Sequence, residues 1–398
     1  MMFRLSLVVL IALFNYKCYG EQALSLAHFG VSLLQHSSQP DEQAVISPIV
    51  ESLALGAVYE GAKNETRKEI GDVMFGPKSE EQFASNLQFL HSIPKSVKYH
   101  AKKQKSVMKM LLLTHKRFKY KDEFLNSMKT NYKAALRKYD FCEDEIREKA
   151  AQETENWVKK ATGNVVKDTV EKRMFRTETR SAPISAISTC FRWKNPLTKE
   201  IGEFGGKRVN FLKGCGEYRY QSTPKYEVLG MEMVDDAAVL YIFLPKSENY
   251  EEFVEYMDGA RVLHAEFGDK MKVEVKIPEM KIFSKHRFHV ALKKLGVEKV
   301  FTEDAELDHL GVQATDMYAS YQAVGFEVNE HLVRGGATGT AGLQSLSGIV
   351  GPPMEKEEKV HNEEYEVTDE VTKRFVADRP FFFALVRDDL ILYAGHYM

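Results

Sequence analysis

The chain has 398 residues, a formal net charge of −2, 44% hydrophobic and 28% charged residues. These proportions are ordinary for a globular protein and exclude a disordered or fibrous chain. The near-neutral balance gives no reason to expect nucleic acid as a partner, and length alone would suggest two domains.

Residues 1–20 read as a secretory signal peptide: Arg4, an apolar run from Leu5 to Phe14, then Cys18-Tyr19-Gly20. The run falls short of the roughly 20 apolar residues that span a bilayer, and no later segment is long and apolar enough. Residues 21–398 are therefore expected to be secreted as an extracellular monomer. Cys142, Cys190 and Cys215 then form an odd set that allows at most one bridge. Cys190, in a largely uncharged run, is expected to be a buried small hydrophobe. Asn64-Glu65-Thr66 is an N-x-[ST] sequon, which makes Asn64 a candidate glycosylation site.

The first half reads as largely helical. Ala44 to Tyr59 opens on a Ser-Pro pair suited to a helix start, and Asp144 to Lys160 has the spacing of a surface helix packed on one face. Strand patterns are expected from about residue 182: Ala238 to Leu244 is a short apolar run ending at Pro245, and Met271 to Ile277 alternates cleanly. Helices first and strands later, without a βαβ rhythm, predict an α+β fold.

Two charge blocks interrupt the pattern. Lys95 to Lys121 is strongly basic, and Lys102, Lys103, Lys105, Lys116 and Arg117 are its candidate polyanion-binding residues, a glycosaminoglycan being the ligand class. Residues 355–370 are acidic. Either block would also serve as a solvated face.

No H-E-x-x-H, C-x-x-C or G-x-S-x-G motif is present, so neither a metal centre nor a catalytic residue is predicted. Gly335 to Gly342 looks like a phosphate loop but lacks its lysine. The stretch Phe326 to Pro353 passes from strand-like FEVNE to small residues, GGATGTAG, and on to LQSLSGIVGPP. Gly, Ala and Thr cannot nucleate a core, so an exposed loop is expected over about 331–353. The apolar ending PFFFALVRDDLILY must pair back into the body, which makes this a loop within one domain, not a linker.

Several segments, in order from about residue 25 to the end, resemble the serpin family. They are Ser47-Pro48 with Ala54-Leu55 and Gly61-Ala62; Asp140-Phe141; Asn156-Trp157-Val158 with Thr162-Gly163; Leu295-Gly296-Val297 with Phe301; Phe326 to Glu330; and Phe375 to Phe383. The resemblance implies three β-sheets, eight or nine helices and a protruding reactive loop on a single domain over 21–398. It also implies a suicide-substrate inhibitor of serine proteases, whose cut loop inserts as a new sheet strand. The hinge would comprise Glu330, Val333, Gly335, Ala337 and Gly339. Side-chain alternation admits one register, with Val333, Gly335, Ala337 and Gly339 inward, because the other would bury Arg334. The expected reactive bond is Leu346-Ser347, which suits chymotrypsin- or elastase-like proteases; Ile349-Val350 and the neighbourhood of Tyr365 are the other alignments. Leu332 stands where the family has a glycine. Val50, Ser185 and Gln322 stand where its sheet-opening region has Ser, Asn and His, while Trp193 matches its sheet-top tryptophan. These departures leave a non-inhibitory binding or carrier protein as the alternative.

Overall fold

The computed structural model describes residues 20–398 except 102, 312–314, 319 and 342–372. In chain order the elements are α1 (Glu21–Ser37), β1 (Ala44–Ile46), α2 (Pro48–Gly61), α3 (Asn64–Phe75), α4 (Phe83–Ser96), β2 (Tyr99–Ala101), β3 (Gln104–His115), α5 (Asp122–Thr130), β4 (Ala135–Tyr139) and α6 (Asp144–Ala161). The second half contains β5 (Ser181–Arg192), β6 (Thr198–Phe204), β7 (Lys207–Ser222), β8 (Tyr226–Glu232), β9 (Val239–Pro245), α7 (Tyr250–Tyr256), α8 (Gly259–His264), β10 (Asp269–Pro278), β11 (Met280–Arg287) and α9 (His289–Leu295). It closes with β12 (Tyr321–Val328), β13 (Leu332–Thr340), β14 (Lys373–Val376), β15 (Phe381–Arg387) and β16 (Leu390–Tyr397).

The fold is α+β, with nine α-helices among the described residues. One sheet runs β11-β12-β13-β5-β3-β2, with β4 also paired to β3. The other strands form a second hydrogen-bonded surface, β1-β16-β15-β9-β8-β7-β10-β14 with β6 on β7. The sixteen-residue β7 joins two of the three expected sheets, pairing with β10 along Phe211–Tyr220 and with β8 only at Arg219–Ser222.

Helix α2 lies at the centre. Its residues PIVESLALGAVYEG carry apolar groups all round, and every residue of the helix except Glu60 is buried. Pro48 opens it as expected, but Ser47 does not cap it; the Ser47 hydroxyl donates to Leu392 O at 2.7 Å. The first half is less helical than its charge pattern suggested. Gln104 to His115, inside the lysine-rich block, is a twelve-residue strand between β5 and the edge, because Met108, Met110 and Leu112 alternate inward beneath the exposed Lys105 and Lys109.

Candidate functional site

The segment from Leu332 to Thr340, expected as part of an exposed loop, instead occupies the middle of the seven-stranded sheet, antiparallel to β12 on one side and β5 on the other, because its small residues fit between the two strands. Val333 and Ala337 are fully buried, and with Gly335 and Gly339 they line the face toward α2 and the second sheet. The aromatic ring of Tyr393 sits under Gly335, where an added Cβ would be 2.5 Å from it. Arg334 points the other way and its guanidinium donates to Gly163 O at 2.8 Å.

That outer face is not solvent, although alternation alone left it looking so. Helix α6 and the segment after it cover it, and Gly336 and Thr338 are buried there. Gly336 pairs across the ladder with Gly325, and Cβ atoms on the two would lie 2.7 and 2.6 Å from Val165 side-chain atoms. The facing glycines form a notch that Val165 fills. Thr338 keeps its hydroxyl satisfied by donating to Ser185 O at 3.2 Å.

The hinge is a tight turn between β12 and β13. Asn329 Oδ1 accepts from the amides of His331 at 2.9 Å and Leu332 at 3.0 Å, and the Asn329 amide donates to Leu332 O at 3.0 Å. Trp193 Nε1 donates to Asn329 O at 2.7 Å, tying the turn to the end of β5. Glu330 pairs with Lys199 at 3.1 Å. Leu332 is absent from the positive-φ residues, so a side chain at this position strains no backbone here.

The sheet-opening cluster is rebuilt from other residues. Gln322 exchanges two hydrogen bonds with the backbone of Ser47: its Oε1 accepts from Ser47 N at 2.7 Å and its Nε2 donates to Ser47 O at 3.0 Å. Ser185 Oγ donates to Val50 O. Beside them the carboxyl of Glu51 is fully buried; Oε1 is bonded by the Ser320 hydroxyl, and Oε2 has no partner among the described residues. Burial pushes this carboxyl up to about 8, the Ser320 hydrogen bond opposing only in part.

A family model described as "Serpin (serine protease inhibitor)" matches residues 24–398. The chain belongs to the serpin family. Human neuroserpin is 26% identical over 327 residues, covering 77% of this serpin and 78% of the relative. Among solved structures, cleaved Serpin 42Da superposes with a TM-score of 0.77 at 21% identity, covering 95% of this chain and 96% of that one. Tengpin, a thermophilic serpin in the latent state, gives 0.78 at 18% identity with 96% and 99% coverage. At these identities the structures speak to the fold alone. As a serpin this chain is not expected to be an enzyme.

Leu346, Ser347, Ile349, Val350, Tyr365, Lys102 and the acidic block lie outside the described residues, as do residues 1–19. The remaining polyanion candidates do not form one patch. Lys103 and Lys105 sit at one end of β3, Lys116 and Arg117 just beyond the other. Eleven strand steps from Lys105 to Lys116 span about 36 Å. At the far end Lys116 instead shares a groove of about 540 Å³ with Arg137, Lys138 and Lys149, between β4 and α6. The sequence reading missed those three because they come from different elements of mixed charge.

One further expectation changes. Cys190 is half-buried between Lys105 and Arg334 on the neighbouring strands, not enclosed in the core, and all three described cysteines are free. Asn64, the candidate glycosylation site, is exposed, and its side-chain amide donates to Glu306 Oε1 at 2.9 Å.

Proposed function

We propose that this serpin is a secreted inhibitor of serine-type endopeptidases that acts as a suicide substrate. The protease serine attacks the Leu346 carbonyl, the Leu346–Ser347 C–N bond breaks with Ser347 leaving as the protonated amine, and an ester links enzyme and loop. Insertion of 332–340 then pulls the ester-linked protease away before water completes deacylation. The leader over residues 1–20 supports secretion, and an apolar Leu346 suits chymotrypsin- or elastase-like enzymes.

One observation carries the reading: strand 332–340 fits mid-sheet with small residues over Tyr393 and Val50 and its one cation outside on Gly163 O. A charge-free inward face meets the steric and electrostatic conditions for a strand that must enter a packed core. Incubation with chymotrypsin or elastase is expected to give an SDS-stable, ester-linked complex. Clean loop cleavage without complex would sink the proposal.

The Glu51 oxygen beneath the strand, without a partner among the described residues, favours the second reading, a binding or carrier protein whose loop stays out, because a buried carboxyl with an unmet hydrogen bond penalises insertion. Thermal unfolding before and after loop cleavage separates the two, since only insertion raises the midpoint. The groove at Lys116 is the better seat for a glycosaminoglycan cofactor under either reading.

A further inference from the structure

Away from the insertion strand, a second group of chemistry-bearing side chains converges. His115 ends β3, Asp140 directly follows β4 and Cys142 directly precedes the lead into α6. Parallel pairing of β3 with β4 sets His115 against Tyr139 and brings Asp140 to the same end. His115 Nε2 lies 3.7 Å from Asp140 Oδ1 and 3.8 Å from Cys142 Sγ, and the three donor atoms all lie within 4.8 Å of one another.

We propose that His115, Asp140 and Cys142 form a binding site for a thiolate-seeking divalent cation, zinc being the best match. Tetrahedral zinc with bonds of about 2.0–2.3 Å places neighbouring ligands roughly 3.3–3.8 Å apart, so two of the separations already fit. A mixed imidazole, thiolate and carboxylate set selects zinc over magnesium or calcium, which take oxygen ligands. The carboxylate is already divided between two tasks. Asp140 Oδ2 takes both bonds from the Arg117 guanidinium, at 3.0 and 2.9 Å, while Oδ1 faces the cluster with the Cys142 amide at 3.3 Å. Such outer hydrogen bonds orient a ligating carboxylate. His115 and Asp140 are buried and Cys142 is exposed, which leaves the fourth position open to solvent.

Loading has a definite proton balance. The Cys142 thiol releases its proton to solvent as the sulfur–metal bond forms. The imidazole stays neutral by carrying its proton on Nδ1 instead of Nε2, and the Arg117 amide, which donates to Nδ1 at 3.0 Å, gives up that bond. Arg117 and Arg180 oppose a cation near His115, so the site is weaker than a closed four-ligand centre. Occupancy would fasten the start of α6 to the ends of β3 and β4. The segment following α6 is the one that seats Val165 against the inserted strand.

The test uses the secreted protein in a form where Cys142 is the sole thiol, titrated with cobalt(II) as a spectroscopic probe. Expected is a thiolate-to-cobalt charge-transfer band saturating at one equivalent, its loss on adding zinc, and slower alkylation of Cys142 in zinc. Asp140→Asn should weaken binding and Cys142→Ser should abolish the band. No band, or a band unchanged by Asp140→Asn, overturns the proposal. Cys142→Ser, at an exposed position, keeps it testable should Asp140→Asn not fold: zinc that raises the thermal midpoint of wild type and Cys142→Ser equally also overturns it.

Discussion

Gly339 of the inserted strand lies directly over Glu51 of α2, so that a Cβ on Gly339 would come within 3.4 Å of the unpartnered Glu51 Oε2. The folded carboxyl titrates at about 8 against an ordinary 4.5. A raised acid favours its protonated form, so its stabilising share is fully present below about 4.5 and is lost as pH rises through about 8. The thermal midpoint of the loop-inserted form is expected to fall across that window, by an amount worth at most a few kcal/mol. Glu51→Gln should flatten the dependence; an unchanged slope would remove Glu51 as its source.

Ala337 is wholly buried on the inward face. Ala337→Glu places an unpaired charge there at a cost of several kcal/mol. If the uncut loop lies outside the sheet, as the proposed function requires, the variant is expected to keep its uncut fold by circular dichroism, to be cut by the target protease, and to form no SDS-stable complex.

Gly336→Val tests the opposite face. Its Cβ would be 2.7 Å from Val165 and 2.9 Å from Thr162 O, a contact with backbone that cannot simply rotate away. Overpacking of this kind costs roughly 1–3 kcal/mol. The cleaved form should lose part of its gain in thermal midpoint, and under the proposed inhibitory function more molecules of the variant should be needed per protease trapped.

The basic groove makes a separate claim about location. Lys116→Ala, Lys138→Ala and Lys149→Ala should each lower retention on immobilised heparin, and the dependence on salt should become shallower as cations are removed. Lys103→Ala with Lys105→Ala, at the other end of β3, should change retention little. The reverse pattern would move the site.

Much of the fold was legible because the apolar periods were long: β9 and β10 were placed near their observed bounds by pattern alone, and α2 takes up most of the stretch Ala44 to Tyr59, whose first three residues form β1 instead. β3 was hidden because lysines on its outward face dominate its composition, although alternate residues are core. The inward register of β13 followed from one arginine among small residues. Its covered outer face did not, because burial of Gly336 depends on Thr162 and Val165, more than 160 residues earlier in the chain. Glu51 was unreadable for a similar reason. In the run PIVESLALG it looks like a helix's solvent-facing position, and only the closure of β12 and β13 over α2 buries it.

The turn at Asn329 gives the strand a direction in time. If the strand inserts after cleavage as proposed, Asn329 and Trp193 hold its Leu332 end, so docking would run from Leu332 toward Thr340. On that route Val333 would meet the core first, and Gly339 would reach Glu51 nearly last. A defect near the end of the strand therefore leaves a half-zipped molecule, while one near its start leaves the sheet untouched.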